Sequence, residues 1–574
     1  MPLKKLLVGT EDFKKVIDKQ GYYVDKTLLI KELIDKGDEV NLFTRPRRFG
    51  KTLNLSMLKY FFEDTGDVKK SAELFQGLKI AEDTECMQKH LGKYPVISLT
   101  LKSGKQNDFE KSFYTLKESI AFEFERHLYA VDKLVLEGDK ERFLRYSQMY
   151  GEEKEYYTAI KFLSKCLCQV HQSKVVILID EYDVPLENAY FNGFYDEMIG
   201  FIRSLFESAL KTNPFLEFAV VTGCLQISKE SVFTGLNNLR VRSILDEVYG
   251  EYFGFTQGEV DAALNYYDRE SRGEEVKQWY DGYLFGNQLV YNPWSVLSIV
   301  DKLTVSEEAY FESFWPNTSS NDIVHTLIEK SDTAARDDIE KLMDGGTIEK
   351  IIRKGITYAD LDKAQDHIWS FLLFTGYLTL VSARQVDDEQ YLTMAIPNRE
   401  VKYIYRTMII DWFNDRIKTK DLRRLYQAVV EGDAGVLEEE LSEIMMESIS
   451  YNDYKEDYYH GLVLGLLKTF KGYKILSNDE KGLGRPDILM VPFSSDKPAV
   501  IMELKFTRKK GEVKGKCNEV LQQIKERKYK EGFGKGAYNR CVCFGICFYQ
   551  KMCMVKREGG NASNKNTPSP VDSF

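Results

Sequence analysis

The chain reads as α/β: a parallel sheet covered on both faces in its first half, a helical middle region, and a smaller α/β part toward the C-terminus. Three observations predict this. Glu39–Phe43, Val96–Leu99, Val175–Ile179 and Glu217–Thr222 are short, continuously apolar runs with amphipathic helical patterns between them, as expected of strands buried on both faces. After residue 260 the strand signals fade, and Trp279, Trp294, Trp315, Trp369 and Trp412 punctuate helices and turns. From Glu456 the character is mixed again: a helix to Phe470, a hairpin, a basic helix over Glu519–Tyr529, and a strand carrying Cys541, Cys543 and Cys547. The domains are set accordingly at 1–260, 261–450 and 451–556. A Gly-, Asn-, Ser- and Pro-rich tail at 557–574 is expected to be disordered. Residues 105–170, helical and charged, form a long insertion between the second and third strands.

The 574 residues suit three or four domains. Hydrophobic residues make up 43% and charged residues 29%, which excludes a disordered chain, a collagen-like repeat and a small disulfide-stapled scaffold. Nine cysteines without framework spacing, no apolar leader after Met1 and no run of membrane-spanning length point to a reducing cytoplasm and no membrane partner. Cys541, Cys543, Cys547 and Cys553 alternate with apolar residues and have no nearby histidine, so a core strand is favoured over a zinc site. The net charge of −10 argues against nucleic acid only as an average. Residues 481–540 hold 15 Lys and Arg against 7 Asp and Glu, net +8, leaving about −18 for the rest.

The first strand runs into Thr44-Arg45-Pro46-Arg47-Arg48-Phe49-Gly50-Lys51-Thr52, which opens a helix. Gly-Lys-Thr before a helix is the second half of a Walker A loop: Gly50 lets backbone N–H groups approach phosphate, Lys51 reaches the β/γ oxygens, and Thr52 offers a hydroxyl to Mg²⁺. Arg48 and Phe49 complete the predicted nucleotide-binding stretch, and Arg45 stands where the first glycine of the motif belongs. Val175–Ile179 ends in Asp180-Glu181, the Walker B pattern, with Asp180 to hold Mg²⁺ and Glu181 as general base. Thr222, ending the fourth strand, is the candidate for a γ-phosphate sensor; a plain strand followed by a glycine turn is the other reading.

Near the C-terminus, Pro486-Asp487 and Glu503-Leu504-Lys505 flank a predicted hairpin. Side chains alternate along a strand, so Glu503 and Lys505 share one face and Met502 and Leu504 the other. Asp487 on the partner strand can converge with them, giving two carboxylates as hard ligands for Mg²⁺ or Mn²⁺ and a lysine to steady charge on phosphate. This is the PD-(D/E)XK nuclease signature. An exposed salt-bridged hairpin is the alternative, but it leaves charges inside an apolar strand unexplained. Glu456 can add a third carboxylate; His460 is read as a packing residue. Gln523 and Tyr529 are predicted to meet a nucleic-acid backbone, where a basic surface steers phosphate.

With these motifs the chain resembles the AAA-ATPase-like proteins that carry a C-terminal PD-(D/E)XK nuclease-superfamily domain. The resemblance also rests on Tyr22-Tyr23-Val24-Asp25-Lys26-Thr27, Ser231-Val232-Phe233-Thr234-Gly235-Leu236-Asn237-Asn238, Trp279-Tyr280-Asp281-Gly282-Tyr283, Tyr291-Asn292-Pro293-Trp294-Ser295 and Tyr459-His460-Gly461. It implies a P-loop NTPase parallel sheet at the N-terminus, a helical middle region, and a C-terminal α/β restriction-endonuclease-like domain. It implies ATP and Mg²⁺ as cofactors, and that the arginine-rich loop is the family's own Walker A variant. Gln226 stands where relatives are expected to carry arginine, which implies slow hydrolysis if that arginine senses the γ-phosphate. The expected function is a P-loop ATPase coupled to a metal-dependent nuclease, in defence or mobile-element biology, with DNA favoured over RNA and homo-oligomerisation open. The alternative is a nucleotide-switched regulatory protein that grips nucleic acid or a protein without cutting.

Overall fold

The structure, a computed structural model, describes residues 3–225, 232–233, 235–315, 333–353, 355, 358, 366–387, 389–407, 421–447, 456–468, 470–477, 486–494, 497–527 and 541–559. Gln226, Tyr529 and the tail beyond 559 lie outside them, as does the side chain of Glu456. The chain forms two compact units: residues 1–327 with 347–404, and residues 328–346 with 405–574.

In the first unit, β1 (Val40–Thr44), β2 (Val96–Thr100), β3 (Val175–Asp180), β4 (Leu216–Gly223) and β5 (Leu239–Arg242) form one parallel sheet in the order β2-β3-β4-β1-β5. Every residue of β1 and β3 is buried, as the continuous apolar runs require. The order matters for the site. Strand β4 lies between β1 and β3, so the residues ending these three strands come out side by side at the carboxyl edge, where open α/β sheets bind ligands. The insertion after β2 is helical, as expected. Its helices Phe109–Arg126, Glu137–Ser147 and Ala159–His171 pack through Phe124, Phe143, Tyr146 and Phe162.

Beyond β5 the unit is mostly helical, and it also holds two small antiparallel sheets whose strands the sequence reading missed. One is the hairpin β6 (Tyr283–Phe285) with β7 (Gln288–Val290). The other is β8 (Ile348–Ile351), β9 (Thr379–Val386) and β10 (Glu389–Ala395), in the order β8-β10-β9. The helix Pro293–Val305 starts where Pro293 needs no N–H partner and where Asn292 Oδ1 accepts from Trp294 N and Ser295 N, at 3.0 and 3.3 Å.

The second unit is built on a mixed sheet: β11 (Tyr473–Ser477), β12 (Ile488–Pro492), β13 (Ala499–Phe506), β14 (Cys541–Tyr549) and β15 (Met552–Arg557), adjacent in chain order. All pairs are antiparallel except β13 with β14, which is parallel and bridged by the helix Val513–Glu526. Val500, Met502 and Leu504 enter a core with the helices Arg423–Glu431, Ala434–Glu447 and Glu456–Lys468. Ile501 faces the other way, onto Ile524 of the bridging helix. The alternation read along Glu503-Leu504-Lys505 is thus realised. The cysteines of β14 and β15 are in no disulfide among the described residues, and Cys543, Cys547 and Cys553 are buried, as a core strand demands.

Candidate functional site

At the carboxyl edge of the parallel sheet, Gly50 adopts a left-handed φ of 80° and begins the helix Lys51–Phe62. Asp180, the last residue of β3, collects three donors. Thr52 Oγ1 gives to Oδ2 at 2.6 Å, Glu181 N gives to Oδ1 at 3.1 Å, and Thr222 Oγ1 gives to Oδ1. Three residues singled out in separate strand and loop motifs therefore meet on one carboxylate. Lys51 Nζ donates to Arg45 O and Pro46 O, both at 2.8 Å, which folds the ammonium over the loop. Glu181 follows with φ 53°, and burial together with Asp180 pushes its carboxyl above the usual range.

The loop is tied down by its own side chains. Arg45 is fully buried and points away from the cleft. Its guanidinium donates to Thr44 O at 2.9 Å and Arg242 O at 2.6 Å and sits 5.1 and 5.4 Å from the ring centres of Phe253 and Phe285. Burial lowers its pKa to about 9. Arg47 Nη2 donates to both carboxylate oxygens of Glu187, each at 2.9 Å. Arg48, with φ 68°, stacks 4.4 Å from the Trp294 ring centre and donates to Phe314 O. Phe49 packs edge-on against Tyr283, 4.9 Å between centres. Glycine would supply flexibility at positions 45 and 48; here packing holds a fixed loop instead.

Lys51, Thr52, Glu181 and Arg48 open onto one cleft of about 530 Å³. Its far wall is apolar and aromatic: Leu7 to Thr10, Tyr22 to Val24, Phe255, Trp294 and Leu297. Gly9 has φ 80° and comes so close to Trp294 that a Cβ there would lie 3.1 Å from the indole. The sequence reading missed this wall. The signal was present in the Tyr22-Tyr23-Val24 and Asn292-Pro293-Trp294 strings, which carried the resemblance without a role. Lys26, in the same string, is buried and pairs with Glu259 at 2.6 Å. Gln226 lies outside the described residues.

In the second unit Asp487, Glu503 and Gln523 converge. Asp487 N donates to Glu503 Oε2 at 3.3 Å, Leu504 N donates to Asp487 Oδ2 at 2.7 Å, and Gln523 Nε2 donates to Glu503 Oε1. His460 Nε2 donates to Asp487 O at 2.9 Å, a contact with backbone rather than a ligand position. Glu503 is buried, and desolvation together with Asp487 raises its pKa to about 7, while Arg527 and Lys505 oppose the shift. Gln523 reaches the cluster because Gly545 of β14, opposite Glu503, lets the bridging helix sit close. A Cβ at Gly545 would stand 3.1 Å from Leu521 and Val520. The reading placed Gln523 on the correct helix but expected it to face a nucleic-acid backbone. Arg527 was not singled out at all. Among the described residues no group of three His, Cys, Asp or Glu side chains is arranged to hold a metal ion. The donors present are one carboxylate and one hydroxyl at Asp180 and Thr52, and two carboxylates at Asp487 and Glu503. They are hard oxygen ligands of the kind Mg²⁺ takes, and two carboxylates crowded together favour a cation between them.

The fold and these two constellations define an α/β protein that joins a P-loop NTPase sheet to a mixed sheet carrying paired carboxylates. Residues 7–233 match the family described as predicted AAA-ATPase, and residues 454–558 match the PD-(D/E)XK nuclease superfamily. The chain therefore carries an AAA-ATPase-like domain followed by a nuclease-superfamily domain. It is 26% identical over 411 residues to a protein of Azotobacter chroococcum mcd 1 described as an uncharacterized protein in the vnfD 5' region; the match covers 70% of this chain and 69% of that protein. Among the described residues no helix is long and apolar enough to cross a membrane.

Proposed function

We propose that the protein binds and hydrolyses ATP in the first unit and cuts nucleic-acid phosphodiesters, DNA before RNA, in the second. The nucleotide state would control the cutting, in a cytoplasmic defence or mobile-element system. The observation that carries the ATP reading is the meeting of Thr52, Glu181 N and Thr222 on Asp180 beside Lys51. In that reading Lys51 leaves the loop carbonyls for phosphate, Gly50 and its neighbours present backbone N–H groups, and Glu181 orients and deprotonates the attacking water. The upward shift from burial and Asp180 makes Glu181 a stronger base than a solvent-exposed glutamate. Mg²⁺, held by Thr52 and Asp180, would neutralise phosphate charge.

For the nuclease reading, Asp487 and Glu503 would hold Mg²⁺ or Mn²⁺, which supplies a bound water acidic enough to attack phosphorus. Lys505 then stabilises charge on the phosphate, and Gln523 fixes the orientation of the Glu503 carboxylate. A Mg²⁺/Mn²⁺-dependent cleavage assay on DNA and RNA, with and without ATP, tests the whole reading. Cleavage lost in Asp487→Ala and Glu503→Ala supports it. Specific binding of nucleic acid with no cleavage by wild type would favour the non-cutting, nucleotide-switched alternative.

A further inference from the structure

Unlike the fully buried Arg45, Arg47 lines the cleft with Lys51 and Glu181. Its partner Glu187 lies in the first turn of the helix Val184–Asn192, which begins three residues after Glu181. The pair thus spans from the loop to the end of the cleft where Glu181 stands. It is largely sequestered, with side-chain exposures of 23% for Arg47 and 12% for Glu187.

The Nη2 that serves two carboxylate oxygens of Glu187 can equally serve oxygens of a terminal phosphate, and the phosphate carries more charge. Glu187 keeps other company if Arg47 leaves. Tyr358 Oη lies 3.4 Å from its Oε2, and Lys105, also on the cleft, is close enough to favour its charged form. Burial and the neighbouring Asp183 push the Glu187 carboxyl up, so on release it can take a proton from solvent rather than remain a stranded buried charge, the usual obstacle to breaking such a pair.

We infer that Arg47 is the γ-phosphate-reading residue of this cleft, held by Glu187 when the terminal phosphate is missing and released to it when a nucleoside triphosphate binds. This deepens the ATP reading and rests on it. The exchange gives the site a discrimination between triphosphate and diphosphate that Lys51 and the loop backbone, which address the inner phosphates too, do not provide. It also transmits occupancy: the helix Val184–Asn192 loses its tie to the loop only in the triphosphate state.

Equilibrium binding of ATP and ADP to the full-length protein in Mg²⁺ tests this. Arg47→Ala is expected to weaken ATP at least tenfold and ADP less than threefold, and Glu187→Gln to tighten ATP severalfold with ADP unchanged. The double variant Arg47→Ala/Glu187→Gln removes both charges and keeps the test open should the single alanine variant unfold; it is expected to lose the ATP preference as well. Equal losses for ATP and ADP, or none, in folded Arg47→Ala or the double variant would overturn the inference while leaving nucleotide binding intact. Wild type that binds neither nucleotide would instead overturn the ATP reading, and the inference with it.

Discussion

Thr52 and Asp180 are 128 residues apart in the chain, yet the Thr52 hydroxyl donates to the Asp180 carboxylate at 2.6 Å. The strand order brings them together: β4 separates β1 from β3 and adds Thr222 to the same carboxylate. Asp180→Ala removes the acceptor shared by both hydroxyls. ATP hydrolysis should fall at least a hundredfold, with Mg²⁺-dependent nucleotide affinity reduced as well. Thr222→Ala should slow turnover with little effect on ADP binding. A phosphate-release assay alongside equilibrium nucleotide binding separates the two outcomes.

Arg45 replaces a glycine yet serves the core. Arg45→Ala would leave a cavity between Phe253 and Phe285 and two carbonyls without their donor, a loss of about 2–4 kcal/mol. Arg45→Gly, which restores the conventional loop sequence, should destabilise as much. Chemical denaturation checks both, and a glycine variant as stable as wild type would contradict the buried role.

Glu400 is buried, accepts from Ser295 Oγ and Phe314 N at 2.8 Å each, and has its pKa raised to about 7, chiefly by desolvation with Arg48 opposing. The folded protein therefore holds a proton that the unfolded chain releases near pH 4.5. Stability contributed by this group falls as pH rises from about 4.5 to 7 and is flat above. The span is about 3 kcal/mol. Glu400→Gln should flatten that slope in denaturation midpoints measured from pH 5 to pH 8.

At the second site, the mutual crowding of Asp487 and Glu503 predicts relief by a divalent cation. Without nucleotide or nucleic acid, Mg²⁺ or Mn²⁺ should raise the melting temperature of wild type by a few degrees and leave Asp487→Asn/Glu503→Gln unmoved. Scanning calorimetry with and without metal measures this.

The strands of the parallel sheet were legible because burial on both faces leaves an unbroken apolar run, as in Val175–Asp180. Strand β5, Leu-Arg-Val-Arg, was not, since four residues with two arginines carry no such signal. Strand β9 was missed because most of it faces solvent and reads as polar loop. The site showed the same division. Lys51, Thr52, Asp180, Asp487 and Glu503 were readable because their chemistry fixes short local motifs. Arg47, Trp294 and Arg527 were not, because their partners are distant in the chain and only folding brings them together. Gln523 lies between these cases: its helix was legible, but its partner depended on Gly545 admitting that helix to the sheet.

The most direct test of an ATPase coupled to a nuclease is metal-dependent cleavage of DNA and RNA by the full-length protein, with and without ATP, for wild type, Lys51→Ala and Lys505→Ala. The account predicts cleavage by wild type that changes with ATP, loses its ATP response in Lys51→Ala, and disappears in Lys505→Ala. Cleavage that persists in Lys505→Ala, or that is indifferent to ATP in wild type, would contradict it.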